Sequence, residues 1–321
     1  MKKSASKKKK TFLALILFAF SLIFVGVAAV VAVIGSNYME NQNFRETFYC
    51  ASSLKVNEKI RVIQISDLHN CTYGEDNSEL IRRVEMLKPD LIVYTGDCVD
   101  SQVGDTEQIV NLCGALAQVA PSFYIYGNNE VKISYETGMV KDDLDEYFGF
   151  DDSNRDPQAL RDLEDPFMDQ LESAGVRVLK NEAETITVGT IEVDVFGVLT
   201  SNPSAFWPYA GEDFGEYLYT NEDHLKITAI HEPWILEEFE TDSWGDLMLA
   251  GHTHGGMVRV PLVGPLYTEE GGLFPERKGC YIYGRYDVQG RPLIVSGGLD
   301  NSSLYRINNE PEIVIVDINK F

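Results

Sequence analysis

Five short runs of apolar and β-branched residues in this chain each end in a cluster of oxygen or nitrogen donors. Residues 60–65 lead into Ser66-Asp67-Leu68-His69, and residues 91–94 into Gly96-Asp97-Cys98-Val99-Asp100. Residues 123–126 lead into Gly127-Asn128-Asn129-Glu130, residues 226–230 into His231-Glu232-Pro233, and residues 247–249 into Gly251-His252-Thr253-His254-Gly255-Gly256. Apolar runs of this length, closed by Gly, Asp or Asn, read as buried strands. Donors at the carboxyl ends of several strands are how an α/β sheet assembles a site from distant segments.

The donor types narrow the chemistry. In a strand, side chains at i and i+2 point the same way, so Asp67 and His69 can face one ion. His252 and His254 share that spacing, and their flanking glycines permit close backbone approach. Imidazole mixed with carboxylate suits Zn, Fe or Mn better than Ca or Mg. No Gly-x-Ser-x-Gly elbow and no phosphate-cradling glycine loop is present. The fifth histidine, in Asn221-Glu222-Asp223-His224, reads as a surface residue, with recruitment as a proton donor the alternative.

The ordered series Asp67-x-His69, Gly96-Asp97-x-x-Asp100, Gly127-Asn128-x-Glu130, His231 and Gly251-His252-x-His254 resembles the calcineurin-like metallophosphoesterase superfamily. The resemblance runs from about Ile60 to the C-terminus. Residues 251–267 and 306–313 are similar to its membrane-associated bacterial branch, the one likened to UDP-diacylglucosamine pyrophosphohydrolases. The resemblance implies an α/β fold of two facing mixed β-sheets flanked by helices, a four-layer sandwich. It implies two divalent transition-metal ions, Mn, Zn or Fe. Asp67, His69 and His254 would hold the first, Asn128, His231 and His252 the second, and Asp97 would bridge them. It implies hydrolysis of a phosphodiester or pyrophosphate bond by water activated between the ions, with no covalent enzyme intermediate. Asp100 is expected to orient a ligand or to form a structural ion pair. Arg306 is expected to contact phosphate or to form a structural pair.

One position departs from the family pattern. The third residue of Gly-Asn-His-Glu is here Asn129, and an amide donates a hydrogen bond but supplies no proton. Asn129 is thus expected to contact substrate without protonating a leaving group. That favours pyrophosphates and activated diesters over alkyl monoesters.

Charge and hydropathy place this site in a larger chain. The formal net charge is −23. Residues 1–34 hold six lysines and no acidic residue, which leaves 21 basic against 50 acidic residues, or −29, for residues 35–321. Such a surface repels nucleic acid phosphates and excludes a nucleic acid partner. Lys2, Lys3 and residues 7–10 are followed by the uncharged apolar stretch 12–34, whose 23 residues suffice to span a bilayer. The lysines mark residues 1–10 as a cytoplasmic tail, 11–34 as the anchor helix and the remainder as extracytoplasmic. Ala28, Ala29 and Ala32 would also suit a cleavable signal peptide, but the apolar region is longer than a usual signal core. Residues 35–58 read as a juxtamembrane connector and 59–321 as the phosphoesterase domain.

Residues 78–87 and 107–119 read as helices between strands, which predicts βαβ units. Further strands are expected at 176–179, 185–188, 191–198, 280–283, 292–295 and 313–316. The acidic stretch 141–163, with Tyr147, Phe148 and Phe150, reads as a solvated loop or as a lid over a substrate tail. Cys50, Cys71, Cys98, Cys113 and Cys280 show no metal-binding spacing, and free buried thiols are expected over a Cys71–Cys98 disulfide. The anchored enzyme is expected to act on a lipid-linked or cell-wall substrate. A nucleotide-scavenging phosphodiesterase and a degenerate binding scaffold are the alternatives, and the intact ligand set argues against the scaffold.

Overall fold

The computed structural model describes residues 2–136, 165–199, 213–234, 244–268, 271–302 and 306–321. The acidic stretch 141–163 therefore lies outside the described residues. In chain order come helix α1 (Lys2–Asn41) and strands β1 (Arg45–Ser53) and β2 (Ile60–Ile65), then α2 (Ser78–Leu87), β3 (Leu91–Tyr94), α3 (Thr106–Ala117) and β4 (Ser122–Tyr124). There follow α4 (Asn128–Glu136), α5 (Pro166–Ser173), β5 (Arg177–Val178), β6 (Glu182–Val188), β7 (Ile191–Gly197), β8 (Leu225–Ala229) and β9 (Leu247–Ala250). Two small hairpins, β10 (Arg259–Val260) with β11 (Gly264–Pro265) and β12 (Tyr267–Thr268) with β13 (Gly272–Leu273), precede β14 (Gly284–Val288), β15 (Arg291–Val295) and β16 (Glu312–Lys320).

The long strands form two six-stranded mixed sheets, in the orders β1-β16-β2-β3-β4-β5 and β14-β15-β9-β8-β7-β6. Side-chain alternation explains why they face each other. Leu91 and Val93 of β3, Ile227 of β8 and Leu249 of β9 share one buried cluster between the sheets. Ile92 and Tyr94 point the other way, into the cluster packed by α2, α3 and α5. Met248 and Ala250 face outward with Phe196, Phe214 and Tyr217 on the far side of the second sheet. The expected layered α/β sandwich is what forms, and because β2, β3 and β4 run parallel, as do β7, β8 and β9, their carboxyl ends share one pole.

Two expectations need correction. Residues 35–58 are not a connector: α1 continues unbroken to Asn41, and Arg45–Ser53 is an edge strand paired in parallel with β16 along its whole length. The polar alternation of an edge strand concealed it, since only Ala51 and Ser53 of β1 are buried. The strand expected at residues 280–283 instead begins at Gly284, whose φ of 91° opens the antiparallel pairing with β15. Tyr281 and Tyr283 anchor the loop before it, Tyr281 packing edge-on against Tyr286 and Tyr283 donating its hydroxyl to Glu312. All five cysteines are free thiols, so Cys71 and Cys98 form no disulfide.

Candidate dinuclear metal centre

The strands deliver their donors in left-handed turns rather than along the strands. Asp67, His69, Asp97, His252 and His254 have φ between 47° and 69°, a region that residues with a Cβ seldom occupy. The i, i+2 spacing thus works for a different reason than strand alternation: the chain turns sharply at each strand end, and Leu68 is driven fully into the core between the two ligands. Non-glycine residues in this region cost energy and persist where surrounding contacts over-determine them. Here those contacts are visible. Asp67 N bonds to Gly96 O at 3.0 Å and His69 N to Asp97 O at 3.1 Å, lacing the β2 turn to the β3 turn. A Cβ on Gly96 would stand 2.5 Å from Gly127 N, so only glycine lets the β3 and β4 turns meet.

Two donor groups result. Asp67, His69 and His254 form one, and Asp97, His231 and His252 the other, each with its ligand atoms within 4.8 Å of one another. His69 Nε2 faces His254 Nε2 at 3.1 Å, and His252 Nδ1 faces His231 Nε2 at 3.1 Å. Asn128 Oδ1 joins the second group, 3.0 Å from His252 Nδ1 and 3.2 Å from His231 Nε2. Asp97 Oδ2 stands between the groups, 3.8 Å from His69 Nε2 and 3.4 Å from His231 Nε2. Paired imidazole nitrogens aimed at one point, with carboxylate and amide oxygens beside them, fit divalent transition cations.

Neighbouring groups set the ring states. His231 Nδ1 lies 2.7 Å from Thr95 O and donates to it, which commits its Nε2 to the centre. Burial disfavours a charged His231 ring, yet the Asp97 carboxylate, by charge and hydrogen bond, holds its pKa well above the ordinary value. Burial pushes His254 down to about 4, helped by His69 and Arg306 and opposed by Asp67, so it is neutral and free to ligate at pH 7. Burial raises the Asp97 carboxyl, but His231 and His69 outweigh it and keep Asp97 ionised. Asp67 accepts from His252 N with both oxygens, at 3.0 and 3.1 Å, and from Ser66 Oγ at 2.6 Å.

Three expected roles change. Asn129 does not face outward: its N donates to Asp97 Oδ1 at 2.8 Å, its Nδ2 to Asp97 Oδ2 at 2.6 Å, and its Oδ1 accepts from Ser101 Oγ at 2.8 Å. Asp100 closes its own turn, accepting from Gln102 N at 2.7 Å, and its side chain bonds to none of the expected ligands among the described residues. Arg306 is fully buried; its Nε donates to Asn309 O and its Nη2 to Gly297 O and Gly298 O, so it braces these loops, while its Nη1 meets no acceptor among the described residues. His224 bonds to Asp194 at the opposite end of β8 from His231, which removes it from the site.

Three residues without an expected role also matter. Glu130, 1% exposed, accepts from Asp97 N, Val99 N, Gly127 N and the Tyr124 hydroxyl, tying the β3 and β4 turns to one carboxylate. Asp300 is the carboxylate facing His254 Nδ1, at 3.9 Å. It follows the apolar run of β15, the same strand-end signal that marked the other clusters. Trp234 packs edge-on against His252 at 4.7 Å between centroids, and no spacing in the sequence could have shown it.

A family model for calcineurin-like phosphoesterases matches residues 60–256. A metallophosphoesterase of Aquifex aeolicus is 26% identical over 81% of this chain and 85% of its own length. The phosphodiesterase YaeI of Escherichia coli is 27% identical over 80% of this chain and 82% of its own. The UDP-2,3-diacylglucosamine pyrophosphatase LpxG of Chlamydia trachomatis is 23% identical over 80% and 83%. A domain match of this extent, on a sandwich whose strand ends gather two donor groups, means that the chain belongs to the calcineurin-like phosphoesterase family.

Proposed function

We propose that this protein is a membrane-anchored hydrolase of phosphodiester or pyrophosphate bonds, with its phosphoesterase domain outside the cytoplasm and a lipid-linked or cell-wall substrate. The observation that carries the hydrolytic reading is the pair of facing imidazoles in each donor group, joined by the Asp97 carboxylate. Asp67, His69 and His254 would hold one divalent cation, Asn128, His231 and His252 the other, and Asp97 both. Bound there, the cations supply Lewis acidity toward a phosphoryl oxygen and toward water. The charge of −29 over residues 35–321 does not gather an anionic substrate, so the local positive charge must come from the ions.

The chain's residues do the positioning. Thr95 O fixes the His231 tautomer, Glu130 fixes the backbone that carries Asp97, and Asn129 orients the Asp97 carboxylate. No side chain at position 129 can hand a proton to a departing oxygen, because an amide has none to give. Leaving groups that depart as stable anions, a nucleotide phosphate or a phenolate, need no such proton. The names of the Escherichia coli and Chlamydia trachomatis relatives, a phosphodiesterase and a pyrophosphatase, support that preference.

Metal analysis of the purified chain, followed by hydrolysis of monoesters, diesters and pyrophosphates of graded leaving-group acidity, tests the proposal. About two divalent ions per chain and a steep rise in rate with leaving-group acidity are expected. A missing proton donor should depress alkyl substrates by roughly 10²–10⁴-fold relative to that trend. A flat dependence on leaving-group acidity would show that another group acts as the acid.

A further inference from the structure

We propose that the pole of the domain carrying the metal centre is held flat against the membrane surface, with no slack, so that the centre acts on phosphates at headgroup depth. This rests on the reading of α1 as a membrane anchor. The sheet topology carries the first part. β16 pairs antiparallel with β2, and β1 pairs parallel with β16, so β1 starts level with the carboxyl end of β2, where Asp67 follows. The chain therefore enters the domain at the pole where the ligands converge. Ser53, at the other end of β1, is eight residues and about 26 Å away at the usual strand rise.

The join between helix and domain is rigid. Asn37 and Asn41, on successive turns of α1, are both buried. Asn37 Oδ1 accepts from Asn308 N at 2.7 Å, and Asn41 Nδ2 donates to Arg306 O at 2.9 Å. The same short segment holds the ligand loop, since Asn309 Nδ2 donates to His254 O at 2.6 Å. It also holds the first hairpin, through Arg259 N to Ile307 O at 2.9 Å and Asn308 Nδ2 to Arg259 O at 3.1 Å. The apolar stretch ends at Ile34, and Asn37 is three residues on, about 4.5 Å along a helix, with Asn41 at about 10 Å. The headgroup layer of one leaflet is about 7 Å thick. Docking therefore begins inside that layer, and the domain has nowhere to stand but on it.

The surface at this pole agrees. Leu262 is fully exposed at the tip of the β10–β11 hairpin, Tyr267 and Leu273 of the next hairpin are more than half exposed, and Arg277 and Lys278 stand beside them. Val263 N bonds to Val260 O at 3.0 Å, closing a turn with Pro261 second and Leu262 third. Leu262 has φ 66° there, where glycine or asparagine would avoid the steric cost. A bulky apolar side chain kept in a strained conformation at a fully exposed tip suits insertion into a lipid interface. Behind the hairpins an apolar cavity of about 420 Å³, lined by Met257, Val258, Leu266 and Tyr267, opens beside His252 and His254.

The test uses the full chain in nanodiscs of dioleoylphosphatidylcholine and dioleoylphosphatidylglycerol, with Cys50 and Cys280 replaced by serine. An environment-sensitive fluorophore is attached at Leu262→Cys, Leu273→Cys or, at the far pole, Leu54→Cys. Brominated lipids should quench the first two several-fold more than the third. A chain that co-elutes with the discs but is quenched no more at 262 and 273 than at 54 overturns the orientation and leaves the anchor standing. A chain that does not co-elute overturns both. As a second measurement, a ten-residue Gly-Ser insertion between Ile34 and Gly35 adds slack without touching the Asn37 and Asn41 contacts. It should cut hydrolysis of diacylglycerol pyrophosphate embedded in the disc at least several-fold and leave soluble bis(p-nitrophenyl) phosphate turnover unchanged. Equal turnover of both by the inserted chain overturns the proposal.

Discussion

At the scale of residues, one carboxylate serves both donor groups. Asp97→Ala should abolish turnover and strip most bound metal, because each group loses its shared oxygen, whereas His252→Ala should empty mainly the second group. Metal content per chain, measured beside activity, checks the assignment; an Asp97→Ala protein that keeps two ions would sink it. Far from the centre, Asp194 faces the buried Lys226 at 3.2 Å and His224 at 2.8 Å. Asp194→Ala leaves the Lys226 ammonium with only the carbonyls of Tyr217 and Thr220, and should cost about 3–5 kcal/mol at pH 7. Burial raises the Asp194 carboxyl, but its bonds from His224, Thr185 and Lys226 outweigh that and hold it below the usual range. A depressed folded value means that the stabilisation is complete above the unfolded pKa of about 3.9 and is lost as pH falls through the folded value. Urea unfolding across pH should show the gap between parent and variant closing below about pH 4.

At the scale of elements, β1 decides where the domain begins. Its Arg45 and Thr47 side chains bond to Glu312, which is fully buried and also accepts from Gly297 N beside the ligand loops. A fragment starting at residue 59, where the sequence pattern places the domain boundary, leaves Glu312 buried without its cation and β16 with an open edge. A fragment starting at residue 43 keeps both. The shorter fragment should aggregate or unfold at a clearly lower temperature, read by differential scanning fluorimetry, and equal melting of the two would refute the role given to β1. The strands of the sheet centre were legible as continuous apolar runs because both faces are covered. β1 was not, because an edge strand with one solvated face carries few apolar residues.

At the scale of the whole molecule, residues Ile16–Asn41 of α1 are long and apolar enough to cross a membrane, and the proposed topology rests on the lysine block at the start of that helix. Protease added to wall-stripped cells should digest a C-terminal tag along with a known exterior protein. A tag that survives would reverse the assigned side. In the proposed orientation the anchor joins the pole that carries the donor groups, since α1, the 306–309 segment and the His254 loop form one hydrogen-bonded series.

The sequence by itself determined the donor residues and their strand-end positions, because donor type and the apolar runs before them are local properties. It marked the apolar stretch 12–34 inside α1 for the same reason, but not the helix's continuation to Asn41. The family resemblance already divided His252 from His254, and the tertiary structure decided how two residues so close reach different groups: left-handed turns swing successive side chains apart in a way that strand alternation does not. It also decided that Arg306 is a brace and that Asn129 holds Asp97. A side chain's partners across the fold depend on contacts between segments far apart in the chain, and no local pattern records them.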